Sequence, residues 1–379
     1  MKDPRCQKLA RQLIRYSLQL QPGDKLLISS TDGECELTRE LIAAAYEAGA
    51  LPFLKTKETQ LTRELIKGAT REQLELMARM DNAMLAEMDA YLGVVKLDNV
   101  HQLSRLPREQ RQLWNRHYHQ AVRIPPLNKK WCLLRFPNHA MAQAAALSTE
   151  ELEDLFFEVS TFDYANMSRA MKPLVERIRR ARRVRITGPG TDLSFELNGM
   201  PVIASDGRHN VPDGEVFTAP VRESVEGTVA FNTPSFYRGF FFDRIRLTFH
   251  QGQVVAAEAN DTQRLEQILD TDAGSRFVGE FAFGLHPLIT EPLQDVLFDE
   301  KIAGSFHLAL GNAYPVADNG NRSLVHWDLV AIQTPEQGGG EIWFDDELIR
   351  RDGQFVPADL QALNPGELLE ESRELCETS

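Results

Sequence analysis

Apolar positions in the first third of the chain recur with a helical period and then bunch into short runs. Leu9, Leu13, Ile14, Ser17 and Leu18 keep helical spacing within residues 5–20; the turn Gln21-Pro22-Gly23-Asp24 follows, and Lys25-Leu26-Leu27-Ile28-Ser29 reads as a buried strand. The alternation continues with a helix over 37–48, a short strand over 51–54, a helix opening on Thr70-x-x-Gln73 and running toward Met88, and a strand over 91–95. A further strand is predicted over 131–136, with helices after Ser148, which has Glu151 three residues on, and near Tyr164. Strands separated by helices imply a largely parallel sheet.

The texture changes near Arg183. Residues 184–187, 193–197, 227–231 and 244–249, the last leading through Gln251-Gly252 into 254–258, alternate apolar and polar positions between glycines, as antiparallel hairpins do. One helix, 262–269, interrupts them, and the turn at Arg351-Asp352-Gly353 carries the sheet almost to residue 356. The acidic tail from Pro357 reads as a surface helix or frayed end. The expected fold class is an α/β N-terminal domain with a largely parallel sheet over residues 1–183, followed by an α+β, β-rich C-terminal domain over 184–379.

A length of 379 residues suits two domains with separate cores. The formal net charge of -13 argues against a nucleic-acid or anionic-membrane surface, which needs clustered Lys and Arg. The basic run 177–183 reads as the solvated end of a helix, where cations suit the dipole. Cys6, Cys35, Cys132 and Cys376 have no C-x-x-C spacing and read as reduced thiols. With no apolar signal region at the N-terminus and no run near the roughly 20 residues of a bilayer span, a cytoplasmic protein is expected.

The candidate chemistry lies in the second half. In the strand-like run 323–332, His326 and Asp328 emerge on one face and Trp327 on the other, because successive strand side chains alternate. That pair is half a metal site, or a His-Asp hydrogen bond on a sheet surface. Upstream, Glu215, Glu280 and His307 each sit in a stretch that otherwise reads as core. Alone, Glu215 reads as a surface or ion-paired residue and His307 as a satisfied core histidine. Glu280 is different, since its flanks Gly279 and Phe281-Ala282-Phe283 look buried, and a buried carboxylate is costly without a cation. Two imidazoles and three carboxylates suffice for two divalent cations sharing a carboxylate.

The same residues carry a resemblance. Glu215 within Gly-Glu-Val-Phe-Thr-Ala-Pro220, Glu280 within a Thr271-Asp272-x-Gly274-x4-Gly279-Glu280 run, His307 and Tyr314 within residues 307–315, and Ser323-x2-His326-Trp327-Asp328 resemble, in order, the motifs of the M29 family of metallo-aminopeptidases. The likeness spans roughly the C-terminal half, and Met141-Ala142-Gln143 after Pro137 is similar to a further family segment. It implies that Glu215, Glu280, His307, His326 and Asp328 bind two divalent ions (Zn, Co, Mn or Mg), with Glu280 a natural bridge and either Glu280 or Glu300 the proton carrier. Glu300 also matches a carboxylate of the family's site, although the six residues between it and His307 exceed the interval in some relatives; Asp299, or simple capping of a turn, is the competing reading. The resemblance further implies that Tyr314, otherwise a tyrosine satisfying a core hydrogen bond, donates to an oxyanion. It implies peptide substrates with a free N-terminus, a homodimer and a catalytic C-terminal domain.

Two rival readings lead elsewhere. A nucleotide enzyme would need a phosphate loop, and Ile28-Ser29-Ser30-Thr31-Asp32-Gly33 has neither the G-x-G-x-x-G nor the Walker pattern. The other rival is a catalytically inactive metal-binding or assembly protein of the same fold.

Overall fold

Four apolar runs in the first 135 residues become neighbouring strands of one sheet. In the computed structural model, which describes residues 3–33, 35–99, 101–122 and 129–377, the sheet order is Leu51–Lys57, Lys25–Thr31, Ala90–Val95, Lys130–Arg135 and Asn210–Val211, and every pairing is parallel. Helices covering such a sheet bury its central strands on both sides, which is why Leu26, Leu27, Ile28, Leu92, Val94 and Leu134 are all buried. Helix ends follow local chemistry. Ser148 and Glu151 form a reciprocal capping box at Thr149–Ser160, and the Thr70 hydroxyl accepts the Gln73 N–H at the start of Arg71–Ala86. Cys6 and Cys132 are buried, while the side chains of Cys35 and Cys376 lie outside the described residues.

The chain forms two compact units, one comprising residues 1–161 and 207–212, the other residues 162–206 and 213–379. The change of period near Arg183 therefore does not coincide with the point where the units part. Helix Tyr164–Arg180 belongs to the second unit, with Tyr164, Met167, Met171, Leu174 and Ile178 buried along one face. The Tyr164 ring meets His286, and its hydroxyl accepts the Asp213 N–H at 2.9 Å. An amphipathic helix announces that it has a buried face but not which sheet receives it. Residues 207–212 make the reverse excursion, Asn210 and Val211 pairing with Leu133 and Leu134 at the edge of the parallel sheet.

The second unit is built on two antiparallel sheets. The larger runs Gln253–Glu258, Arg246–His250, Glu226–Ala230, Thr191–Glu196, Arg183–Gly188, Glu341–Phe344, Glu347–Arg351 and Gln354–Phe355. The smaller runs His326–Ile332, Ser305–Gly311, Val278–Gly284, Glu215–Thr218 and Ile203–Ser205. Aromatic rings join them: Phe281 meets Phe195 at 5.0 Å, and Phe283 meets Phe344 at 6.1 Å and Phe355 at 5.8 Å. Such aromatic contacts, edge-to-face for Phe281–Phe195 and Phe283–Phe344, add to the burial of large apolar area. The expected α/β unit with a parallel sheet and the β-rich second unit are both present.

Candidate metal centre

Pairing register decides which side chains share a face of the smaller sheet. Glu280 pairs with Ala309 and Ala309 with Asp328; Ala282 pairs with His307 and with Phe217; Gly284 pairs with Glu215, and Gly311 with His326. Cross-strand partners point to the same side, so Glu215, Glu280, His307, His326 and Asp328 all stand on one face. Between them on that face lie Ala282, Gly284, Ala309 and Gly311, whose small side chains leave room above the sheet. Phe281, Phe283, Leu308, Leu310, Trp327 and Leu329 take the opposite face and form core.

Glycines allow the backbone to deliver these groups. The strand is bulged between Val278 and Glu280, and a Cβ on Gly279 would stand 2.4 Å from the Gly311 carbonyl oxygen. The link between the second and third strands of the face folds back across Gly284, where a Cβ would meet the Ile302 oxygen at 2.3 Å and the Glu300 oxygen at 3.0 Å. That close approach brings Glu300, just after the short helix Val296–Asp299, to the same cluster as Glu215 and His307.

Distances within the cluster are those of groups sharing a small volume. His307 Nε2 lies 3.4 Å from Glu215 Oε2 and 3.6 Å from Glu280 Oε1; His326 Nε2 lies 3.8 Å from Glu280 Oε2 and 3.6 Å from Asp328 Oδ1. Glu280 thus turns one oxygen to each imidazole. His326 Nδ1 is 2.8 Å from the Asn312 carbonyl oxygen. A carbonyl can only accept, so the hydrogen of the neutral ring sits on Nδ1 and the Nε2 lone pair faces the carboxylates.

Several of these atoms have no hydrogen-bond donor. Glu215 Oε2, Glu280 Oε2 and both ring nitrogens of His307 are buried without a hydrogen-bond partner. Leaving such groups unpaired costs on the order of 1–3 kcal/mol each. Oxygen and nitrogen donors converge in two overlapping groups, Glu215/Glu300/His307 and Glu280/His307/Asp328, with the donor atoms of each within 4.8 Å of one another. Carboxylate oxygens and imidazole nitrogens without hydrogen-bond partners, with no thiolate among them, fit a divalent ion. Burial, and then the charges of Glu215 and Asp328, hold the Glu280 carboxyl well above the usual carboxylate range. Burial also raises Glu300, against the opposing pull of Lys301.

Tyr314 stands beside this cluster, its ring 4.7 Å from that of His326 and 5.9 Å from Phe217. The remaining histidines have other surroundings: His209 packs 4.8 Å from Trp131 in the first unit, and His286 is buried against Phe162 and Tyr164.

The profile of a family described as thermophilic metalloprotease (M29) matches residues 2–355. The chain belongs to the M29 family. Among similar proteins, aminopeptidase T of Thermus thermophilus is 30% identical over 374 residues, covering 85% of this chain and 91% of the relative. Aminopeptidase 2 of Geobacillus stearothermophilus is 28% identical over 375 residues, covering 85% and 90%. The solved structure of wild-type AmpT from Thermus thermophilus superposes with a TM-score of 0.79 at 27% identity, over 93% of this chain and 99% of that one.

One residue of the cluster in this M29 chain, Lys301, was not among those the sequence marked. Lys301 is 0% exposed, with Nζ 2.8 Å from Glu215 Oε1, 2.7 Å from Glu300 Oε1 and 3.5 Å from Asp213 Oδ1. Burial would lower its pKa, but Glu215, Glu300 and Asp213 together raise it well above the ordinary lysine value. The one signal in the sequence was a Glu-Lys pair set against apolar neighbours. The Thr271-Asp272-x-Gly274 motif proves to be a scaffold. The Asp272 carboxylate accepts the N–H groups of Gly274 and Leu324, and a Cβ on Gly274 would stand 2.0 Å from the Arg322 oxygen, so the motif clamps the loop that leads into His326.

Proposed function

We propose that the protein is a metal-dependent aminopeptidase that removes N-terminal residues from peptides, with Glu215, Glu280, Glu300, His307, His326 and Asp328 holding two divalent cations. The observation that carries this reading is the convergence of buried, donor-free oxygen and nitrogen atoms on one sheet face; membership of a metalloprotease family and the aminopeptidase names of the relatives support it. When bound, such cations activate water near neutral pH, polarise a scissile carbonyl and accept a free amine.

The chain's own residues supply the rest. Glu280, at the centre of the cluster, takes a proton from the attacking water at a carboxylate oxygen and returns it to the leaving amine. Tyr314 donates its phenolic hydrogen to the developing oxyanion, an interaction stronger in the transition state than in the ground state. The Asn312 carbonyl keeps His326 in the tautomer that presents Nε2. Residence in the cytoplasm as a homodimer is part of this proposal. Among the described residues no helix is long and apolar enough to cross a membrane.

The test is a chromogenic aminoacyl anilide offered alongside its N-acetylated analogue. The free-amine substrate is expected to be cleaved, with activity lost on chelation and restored by added Zn, Co or Mn, and the acetylated analogue to resist. Equal cleavage of both would contradict an exopeptidase, and bound metal without turnover would favour the inactive metal-binding reading.

A further inference from the structure

Lys301 carries a fixed positive charge into a site otherwise built to receive cations. The two groups of donors overlap only at His307, and Lys301 treats them differently. Its ammonium bonds Glu215 and Glu300, two of the three members of the first group, and Asp213 lies 3.5 Å away. Glu280 and Asp328, in the second group, make no ion pair with it among the described residues; Glu280 Oε2 has no hydrogen-bond partner.

We propose that Lys301 makes the two cation positions unequal: a divalent ion fills the Glu280/His307/Asp328 position first, and binds the Glu215/Glu300/His307 position more weakly because that position already shares its carboxylates with the lysine. This rests on the proposed divalent-metal reading of the site and refines it.

The geometry gives the reason. Glu215 Oε1 and Glu300 Oε1 each hold a charge-assisted bond at 2.8 and 2.7 Å, so an ion arriving there after His307 has given its one lone pair finds Glu215 Oε2 and the second oxygen of Glu300, beside an unscreened ammonium. Lys301 cannot step aside into water. Its side chain is fully buried, and its backbone is pinned at both ends, the N–H donating to the Phe298 oxygen at 2.9 Å and the carbonyl accepting from the His286 N–H at 2.9 Å. The same ammonium has a second effect, because it offsets the mutual repulsion of Glu215, Glu300 and Asp213 in the metal-free protein. Lys301 is therefore a positioning residue that holds the carboxylates in place before metal arrives and limits how tightly the second ion is kept.

The experiment is calorimetric titration of the chelated, full-length protein with Co(II), read together with the bound-metal content after dialysis. The wild type is expected to bind in two steps, the second weaker by about tenfold or more. In Lys301→Met, which keeps the stem and removes the charge, the second step is expected to tighten by about tenfold or more while the first changes little. Two equal steps in the wild type would overturn the inference, as would an unchanged second step in a Lys301→Met protein that melts at the wild-type temperature. Should that variant not fold, the 15Nζ resonance of Lys301 in the wild type decides: a shift on the second equivalent of a diamagnetic ion such as Zn(II) supports the inference, and a full shift on the first contradicts it. Equal steps in a protein that cleaves the free-amine anilide would remove the inference and leave the aminopeptidase reading standing. Absence of any Co(II) binding would remove both.

Discussion

Glu280 and Tyr314 both adjoin His326, yet they are expected to fail differently when changed. Glu280→Gln removes the charge at the centre of the cluster, so bound metal and hydrolysis are expected to fall together, as measured by metal analysis and steady-state kinetics. Tyr314→Phe is expected to keep its metal and lose about 10²–10³ in kcat with little change in KM, the mark of a donor that acts on the transition state. Full activity in Tyr314→Phe, or unchanged metal content in Glu280→Gln, would remove the corresponding role. At this scale much of the cluster was legible. Strand alternation placed His326 with Asp328 and Trp327 opposite, and the apolar flanks of Glu280 marked a carboxylate in need of a partner. Lys301 was not legible, because a lysine among apolar residues is ordinarily exposed and only the fold-back over Gly284 drives it inward.

Two connecting elements position the site, and each can be tested apart from the chemistry. Gly284→Ala would press a methyl against the Ile302 carbonyl and the Ser305 hydroxyl, at 2.3 and 2.4 Å before relaxation. A loss of about 1–3 kcal/mol in unfolding free energy is expected, with weaker metal retention as the Glu300 segment is pushed off the sheet. The Asp272 clamp gives a prediction with a pH signature. Burial acts to raise Asp272, but the N–H groups of Leu324 and Gly274 and the hydroxyls of Ser323 and Ser275 outweigh it, leaving the carboxyl below its ordinary value. A depressed folded value means the stabilisation is present above the ordinary aspartate pKa of about 3.9 and is lost as pH falls through the folded value. Asp272→Asn is therefore expected to cost about 1–2 kcal/mol at neutral pH, and the difference from wild type to shrink below about pH 4, as read from melting temperatures across pH. A constant difference across that range would show that the charge is not what holds the loop. The hairpins and the helix Thr262–Leu269 were readable from period and glycine placement. The strand Asn210–Val211 was not, since two residues carry no periodicity.

For the whole molecule, the organisation into a parallel-sheet unit and an antiparallel-sheet unit followed from the change of period, but the assignment of helix Tyr164–Arg180 did not. Its placement changes what truncation should do. A fragment beginning at residue 184 lacks Tyr164, Met167, Met171, Leu174 and Ile178, all buried, and is expected to show no cooperative melting transition. A sharp transition in that fragment would mean that the helix is dispensable to the unit carrying the metal centre. The functional reading depends on the polar face of the smaller antiparallel sheet binding divalent cations. Anomalous diffraction from crystals soaked in Co(II) or Zn(II) tests it directly: density is expected among Glu280, His307, His326 and Asp328, with a second, weaker peak beside Glu215 and Glu300. A cluster that stays free of anomalous density while metal binds elsewhere on the protein would contradict the account.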